Sequence, residues 1–287
     1  MALSRVSITV ALGLALAGTC AAQLSPANTA GVAMGHLHYV VRDVAANKAF
    51  WVALGGKPIV FNGTTEGALF PDVVVLLRQG EPNGESEGSV VNHVAFRVKS
   101  FAALERAGFT IGRQNPQIPG IISLSTPEGE RIELFEDVTA TNVGFTIDGG
   151  GTDAAADRHN RSIDVPIVAH HIHLYVPEDQ VAAAKDWYAS NFGGVRGERW
   201  RYQAVDLPGI NINISSTPSA LAATKGRMLD HIGFEVQNLE AFCKALEAQG
   251  IKFDRPFAKL PTGLGLAFLT DPWGTYIELT EGLRAIK

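Results

Sequence analysis

Seven of the eight histidines of this chain fall at four places, and each place has the apolar alternation of a strand opening. The four segments are HLHYVVRD from His36, HVAFRVKS from His93, HIHLYVPE from His171 and HIGFEVQN from His231. Two segments lead on to a Pro-x-Gly turn and then, four residues after the glycine, to Glu133 and Glu278. Two imidazoles and a carboxylate on one wall would bind a divalent cation and leave coordination positions open.

Two of the strand openings read His-x-His, which adds His38 and His173. Residues i and i+2 of a strand point to the same face, so these two side chains should enter the same cavities as His36 and His171. An imidazole titrates near neutral pH, so beside a metal each would serve as a general base or support a ligand. The alternatives are that they only line the cavity, or that they are the true ligand of each pair.

Each histidine segment is followed by a helix-like stretch and by further strands, so the chain consists of four similar units. In the first, Asp43 caps a helix that stops at Gly55, and strands follow at 58–61, up to Phe70, and at 73–78. The other units repeat this order, with helices after Ser100, near 179–191 and after Asn238. The second unit should include a strand near Phe109. This predicts an α+β fold of four βαβββ modules.

The modules are grouped in two pairs. A stretch rich in Gly, Asp, Thr and Ala, about 138–166, separates the second module from the third, and it reads as a linker or an ordered cross-over. We therefore expect one domain of two modules at 34–137 and a second at 167–283.

The N-terminus has the pattern of a signal peptide, residues 1–22, with cleavage after Ala22. A short segment with Arg5 precedes an apolar run of about 13 residues, too short to span a membrane. This predicts a secreted or periplasmic protein. Of the two cysteines only Cys243 then remains, so no internal disulfide can form.

The composition argues for a small-molecule partner. Net charge is −5, and no run of Lys and Arg occurs. These features disfavour nucleic acid or an anionic membrane as a partner of the mature chain.

The four modules, two of them ending in Pro-x-Gly-x3-Glu-Leu, resemble the vicinal oxygen chelate superfamily, which includes glyoxalase I, bleomycin resistance proteins and extradiol dioxygenases. The resemblance implies two open barrel-like domains with metal bound inside a barrel, and it leaves open whether one or both halves bind metal. Carried onto this sequence, it offers one ligand set in each half of the chain: His171, His231 and Glu278, and His36, His93 and Glu133. It leaves the metal open among Fe, Mn, Zn, Ni and Co.

The resemblance implies isomerase or lyase chemistry on a small oxygen-chelating substrate, with the metal as Lewis acid. The alternatives are Fe(II) extradiol-type oxygenation and non-catalytic binding of a small molecule. Extradiol enzymes use a tyrosine about ten residues before the ligand glutamate, where this chain has Phe268 and Ser123. The oxygenase alternative is therefore less favoured. By the same analogy, the C-terminal half is the preferred metal site.

Overall fold

The computed structural model describes residues 23–111, 114 and 118–285, so the predicted signal peptide lies outside the described residues. The strands are β1 Val32–Val41, β2 Lys57–Phe61, β3 Thr65–Phe70, β4 Val73–Gln79, β5 Val91–Val98, β6 Ile121–Ser125, β7 Arg131–Glu136, β8 Phe145–Ile147, β9 Ile167–Val176, β10 Val195–Arg199, β11 Tyr202–Leu207, β12 Ile210–Ser216, β13 Leu229–Val236, β14 Phe253–Lys259, β15 Gly265–Thr270 and β16 Tyr276–Glu281. The α-helices are α1 Val44–Ala53, α2 Phe101–Arg106, α3 Asp137–Asn142, α4 Val181–Phe192 and α5 Leu239–Ala248. No helix among these has the length and apolarity needed to cross a membrane.

Four modules are present, and three have the predicted order of one strand, one helix and three strands. In the first, Asp43 caps α1 by accepting a hydrogen bond from the backbone N–H of Ala46. The second module departs from the prediction, because described residues 109–111 form no strand near Phe109. In the described residues, this module therefore has one strand fewer than the others. The second sheet still has eight strands, because β8 of the linker joins it at one edge.

The strands form two eight-stranded sheets, and the predicted α+β fold of four paired modules is confirmed. The first sheet has the order β14-β15-β16-β13-β1-β4-β3-β2 and joins modules one and four. The second sheet has the order β6-β7-β5-β9-β12-β11-β10-β8 and joins modules two and three. Two histidine strands meet antiparallel at the centre of each sheet, β1 with β13 and β5 with β9.

This pairing corrects the expected division into one domain at 34–137 and another at 167–283. Each sheet takes one module from either half of the chain, so neither half forms a paired domain by itself. The repeat identifies the modules but not their partners, because modules one and three open with the same His-x-His pattern. The partners are decided by which strand edges meet in three dimensions.

The hydrophobic core lies between the two sheets and is filled from both. Trp51 of α1 is fully buried, with its ring 5.5 Å from that of Tyr39 and 5.7 Å from that of Phe96 in the second sheet. Phe192 of α4 lies 4.8 Å from Phe234 in the first sheet. Burial of such a side chain contributes roughly 1.5–3 kcal/mol. One face of each sheet therefore packs in the core, and the histidines lie on the opposite face.

The linker is an ordered cross-over that belongs to the second sheet. It contains α3 and β8, and β8 pairs antiparallel with β10 at the sheet edge. Asp137 at the start of α3 is buried and accepts hydrogen bonds from Arg97 Nε at 2.7 Å and Lys99 Nζ at 3.0 Å. Burial raises the pKa of Asp137, but hydrogen bonds from Ser162, Ile163, Lys99 and Arg97 outweigh it and lower the pKa to about 2.

Candidate metal centres

A β-bulge directly precedes the first ligand histidine in all four histidine strands. The residues skipped by the strand pairing are Gly35, Asn92, His170 and Asp230. Such an extra residue reverses the faces that alternating side chains occupy, so Met34 and Leu37 both lie in the core on either side of the bulge at Gly35. The four bulges thus turn the histidines towards the sheet face opposite the core.

In the first sheet, His36, His231 and Glu278 converge on one point. Nε2 of His36 and Nε2 of His231 lie 3.0 and 2.9 Å from the same Oε2 of Glu278. All three side chains are buried. With His38, their ligand atoms lie within 4.8 Å of one another. We call these four residues the first-sheet site.

Gly233 makes room for the His36 ring. It lies opposite His36 in the pairing of β1 with β13, and a Cβ at this position would be 2.0 Å from His36 Cε1. No side chain can be accommodated without moving the ring. His36 Nδ1 is buried and has no hydrogen-bond partner among the described residues.

Asp230 orients His231. Its Oδ1 lies 2.6 Å from His231 Nδ1, and its Oδ2 accepts a hydrogen bond from the backbone N–H of Gly226. His231 Nδ1 is bound to Asp230, so Nε2 is the nitrogen directed at Glu278 and the one that a cation would take. Burial lowers the pKa of His231, but hydrogen bonds to Asp230 and Glu278 outweigh it, and the pKa is raised. Burial acts to raise the pKa of Glu278, but hydrogen bonds from His231 and His36 hold it well below its ordinary value.

His38 is the unpaired histidine of the first-sheet site. Its ring lies 4.6 Å from that of His231, and both of its nitrogens are buried without a hydrogen-bond partner in the described part of the chain. Burial, and then the neighbouring His231 and His36, lower its pKa to about 3. The ring is therefore neutral at physiological pH. Phe268 and Tyr276 form an aromatic wall 5.6 and 5.8 Å from the His231 ring.

In the second sheet, His93, His171 and Glu133 come together in the equivalent way. Glu133 Oε2 lies 3.2 Å from His93 Nε2 and 3.7 Å from His171 Nε2, and the two Nε2 atoms are 3.3 Å apart. His173 lies beside them with its Nε2 2.7 Å from Ser215 Oγ. His93, His171 and His173 also have ligand atoms within 4.8 Å of one another. These four residues form the second-sheet site.

The second-sheet site has polar neighbours that the first lacks. His171 Nδ1 lies 2.8 Å from His170 Nδ1, and Arg199 Nη1 donates to His170 Nε2 at 2.8 Å. Asn92 Oδ1, not a carboxylate, lies 2.7 Å from His93 Nδ1. Burial and then His170 hold the pKa of His171 well below its ordinary value, and burial and then His93 do the same for His173.

A cavity of about 180 Å³ opens on the second-sheet site. Beside the histidines and Glu133 it has three cationic and four aromatic side chains in its wall, namely Arg131, Arg199, Arg201, Phe135, Tyr175, Trp200 and Tyr202. Arg199 is buried, and burial lowers the pKa of its guanidinium to about 9, which leaves it cationic at neutral pH.

Both predicted ligand sets are corrected at one position. The sequence grouped His171 with His231 and Glu278, and His36 with His93 and Glu133. The structure exchanges the two histidines of the His-x-His modules, so that His36 joins Glu278 and His171 joins Glu133. His38 and His173 do lie beside His36 and His171 on the same sheet faces, as the i, i+2 spacing predicted.

The residues that directly precede the ligand histidines could not be predicted as part of the sites. Adjacent residues of a regular strand point to opposite faces, so Asp230 was not expected to reach His231 or Asn92 to reach His93. The bulges bring them to the same face. A polar residue directly before three of the four ligand histidines, namely Asn92, His170 and Asp230, was the available signal.

Comparison with known proteins agrees with this fold. Residues 168–279 match the family model described as Glyoxalase/Bleomycin resistance protein/Dioxygenase superfamily. Glyoxalase I from Zea mays is similar in structure, with a TM-score of 0.61 and 16% identity over 88% of this chain and 94% of that chain. A putative dioxygenase from Bacillus subtilis subsp. subtilis str. 168 has a TM-score of 0.60 and 14% identity over 90% of this chain and 86% of that chain. No curated protein matches the chain in sequence.

At these identities the two structures establish the fold, and the family model adds the sequence relationship. The matched segment begins at β9 and ends within β16, so it spans modules three and four. The resemblance drawn from the four modules is thereby confirmed, and modules three and four match the Glyoxalase/Bleomycin resistance protein/Dioxygenase superfamily in sequence.

Proposed function

We propose that this chain is an exported enzyme that depends on a divalent metal and acts on a small substrate with vicinal oxygens, by isomerase or lyase chemistry at the first-sheet site. One observation carries the proposal: the Nε2 atoms of His36 and His231 meet at a single oxygen of Glu278. Export rests on the signal-peptide pattern of residues 1–22.

The donor set of the first-sheet site fits a divalent cation. Asp230 accepts the Nδ1 proton of His231, and His36 Nδ1 is free to keep its own, so a cation could replace the protons by which the two Nε2 atoms bind Glu278. The buried carboxylate of Glu278 supplies the negative charge that a cation requires. Three protein ligands leave positions open for substrate. A divalent cation held there would supply Lewis acidity towards a substrate oxygen.

His38 is the group placed to move a proton. Its neutral ring adjoins His231, and its nitrogens are not committed to another partner in the described residues. A base in this position would remove the proton from the carbon beside the chelating oxygen and return it to a neighbouring atom. The aromatic wall of Phe268 and Tyr276 would exclude water from that transfer. General bases contribute roughly 10²- to 10⁴-fold to a rate, and the low pKa of His38, a weaker base than free imidazole, places it towards the lower end of this range.

Fe(II)-dependent oxygenation is the second candidate. It is favoured by the ligand set itself, because two histidines and one carboxylate with open positions are the arrangement of non-haem Fe(II) oxygenases. The two candidates differ in what they consume, since oxygenation requires dioxygen and proton transfer does not.

The test begins with metal content per chain, measured by elemental analysis on wild type and on Glu278→Ala and Glu133→Ala. We expect about one metal per chain in wild type and its loss only in Glu278→Ala, by the three-ligand rule. Protein with its metal should then exchange the protons of hydroxyacetone with D2O, which is followed by NMR. Oxygen uptake with catechol, in place of exchange, would support the oxygenase. If wild-type protein contains no metal and cannot take up added metal, both the isomerase or lyase proposal and the oxygenase candidate are contradicted. A non-catalytic binding protein would then be the remaining function.

A further inference from the structure

The cavity of the second sheet has a different chemistry from the site of the first sheet. We infer that it is a metal-independent binding site for a small aromatic carboxylate. This inference goes beyond the proposed function and does not depend on catalysis at the first-sheet site.

The hydrogen bonds behind His171 fix where its proton lies. An arginine side chain has only donors, so the contact of Arg199 Nη1 with His170 Nε2 makes that nitrogen an acceptor. The proton of neutral His170 is then on Nδ1, from which it is donated to His171 Nδ1 at 2.8 Å. Neutral His171 must therefore carry its own proton on Nε2.

That proton makes His171 unsuitable as a metal ligand through Nε2. The N–H lies 3.3 Å from His93 Nε2 and 3.7 Å from Glu133 Oε2, so it is directed at groups inside the site. His93 Nδ1 in turn donates to Asn92 Oδ1. From Arg199 through His170 to His171 the hydrogen bonds thus run in one direction. A cation that needs both Nε2 lone pairs does not fit this arrangement.

The charges around the cavity favour an anion. Three arginines face a single carboxylate, Glu133, and Arg131 Nη2 already donates to it. Arg199 has the unpaired donor: it is 2% exposed, its Nη1 donates to His170 and its Nε to Asn211, but its Nη2 has no hydrogen bond to any described residue. A buried cationic donor left unpaired is unfavourable, and a ligand carboxylate in the cavity would satisfy it.

The remaining wall favours a flat apolar body. Tyr175 and Tyr202 both lie against His173, with ring centroids at 5.0 and 4.8 Å. Trp200 is 47% exposed, and Arg201 lies 4.2 Å above its ring. Aromatic rings stack on such surfaces. A volume of about 180 Å³ limits the ligand to a small molecule, and a single ring with one carboxylate combines the required shape and charge.

The probe is benzoate, titrated by calorimetry into protein freed of metal with EDTA, and benzamide is the uncharged control of the same shape. We expect benzoate to bind with a Kd below about 1 mM and benzamide at least about tenfold more weakly, as the loss of a charge-assisted hydrogen bond requires. Glu278→Ala, which should lose the first-sheet metal, should bind benzoate like wild type. Benzoate binding therefore tests this inference separately from the proposed function, which is tested by metal content and proton exchange.

Arg199→Lys keeps the charge but cannot reach His170, Asn211 and the ligand together, so benzoate should bind at least about tenfold more weakly. Arg255→Gln is the matched control, because Arg255 lies over Phe268 in the first sheet and should leave the Kd unchanged. If Arg199→Lys lacks the wild-type circular dichroism spectrum, Arg201→Gln at the mouth takes its place, with a loss of about threefold expected from a rim charge.

Three outcomes would overturn the inference. Equal binding of benzoate and benzamide would show that charge is not recognised. Benzoate binding that disappears with EDTA and returns with Zn²⁺ would make this a metal site. If benzoate does not bind at concentrations up to about 10 mM, small aromatic carboxylates are not ligands of this cavity.

Discussion

The two sheets contain the same constellation in different surroundings. Each has a His-x-His strand, a single-histidine strand and a glutamate strand in the same order, and the second histidine of His-x-His pairs with the single histidine across the strands. The difference lies in the bulge residues. The first sheet has Gly35 and Asp230 there, and the second has His170 and Asn92.

Those two exchanges decide which nitrogens are free. A carboxylate at Asp230 holds the proton of His231 on the outer nitrogen, and Gly35 leaves His36 Nδ1 without a competing donor. In the second sheet, His170 donates to the outer nitrogen of His171 and moves the proton of that ring inward. Ligand residues alone therefore do not define a metal site, because the residues behind them set the direction of their lone pairs.

The largest expected difference between the sites is in metal content. Glu278→Gln removes the charge of the carboxylate on which His36 and His231 converge, so we expect complete loss of metal by elemental analysis. Glu133→Gln is the control of the same shape in the second sheet and should retain the wild-type amount. If Glu133→Gln lost its metal and Glu278→Gln did not, the metal site would be that of the second sheet and not that of the first.

Most residues of the two sites could be predicted from the sequence, and those that could not were missed for a physical reason. Strand periodicity and turn spacing identified all eight site residues, because each depends only on local chain geometry. The partner of each half-site could not be predicted, since His36 and His171 occupy equivalent positions in equivalent modules and the choice depends on contacts between distant strand edges. Asp230 and His170 were missed because a bulge breaks the alternation on which the prediction rests.

The next difference concerns proton transfer. His38→Ala should keep its metal, because His38 is not among the three converging ligands, but exchange of hydroxyacetone protons with D2O should fall by roughly 10²- to 10⁴-fold. His173→Ala is the counterpart in the second sheet, where its partner is Ser215, and it should exchange at the wild-type rate. Metal lost from His38→Ala would mean that His38, and not His36, is the ligand of that strand.

A smaller effect is expected behind the ligand histidine. Asp230→Asn retains the shape of the contact with His231 but loses the carboxylate, and such changes weaken metal binding by roughly 10- to 100-fold. The measurement is a competitive titration against a chelator of known affinity. Asn92→Asp makes the reverse exchange in the second sheet and should not create a metal site alone, because His170 still donates to His171. A second bound metal in Asn92→Asp would disprove the proton assignment.

The smallest expected effect is on stability, at equivalent positions of the two central strands. Four residues after the histidine, the second sheet has Arg97 bound to Asp137 of the linker, whereas the first sheet has Glu235, which accepts backbone N–H groups of Gly282 and Leu283. The folded-state pKa of Asp137, about 2, lies below the ordinary value of 3.8. Its contribution is therefore fully present above about pH 4 and is lost as pH falls towards 2.

Urea unfolding of wild type and Asp137→Asn should accordingly differ by about 2 kcal/mol near pH 6, the free energy that corresponds to this pKa shift. The difference should shrink as the pH falls below about 4, because protonation of Asp137 makes wild type resemble the variant. Glu235→Gln, in the other sheet, is the comparison variant, because it also replaces a carboxylate that accepts from Gly282 and Leu283 but that binds no arginine side chain among the described residues. A gap between wild type and Asp137→Asn that is constant from pH 6 to pH 2 would show that shape, not charge, holds the linker to the second sheet.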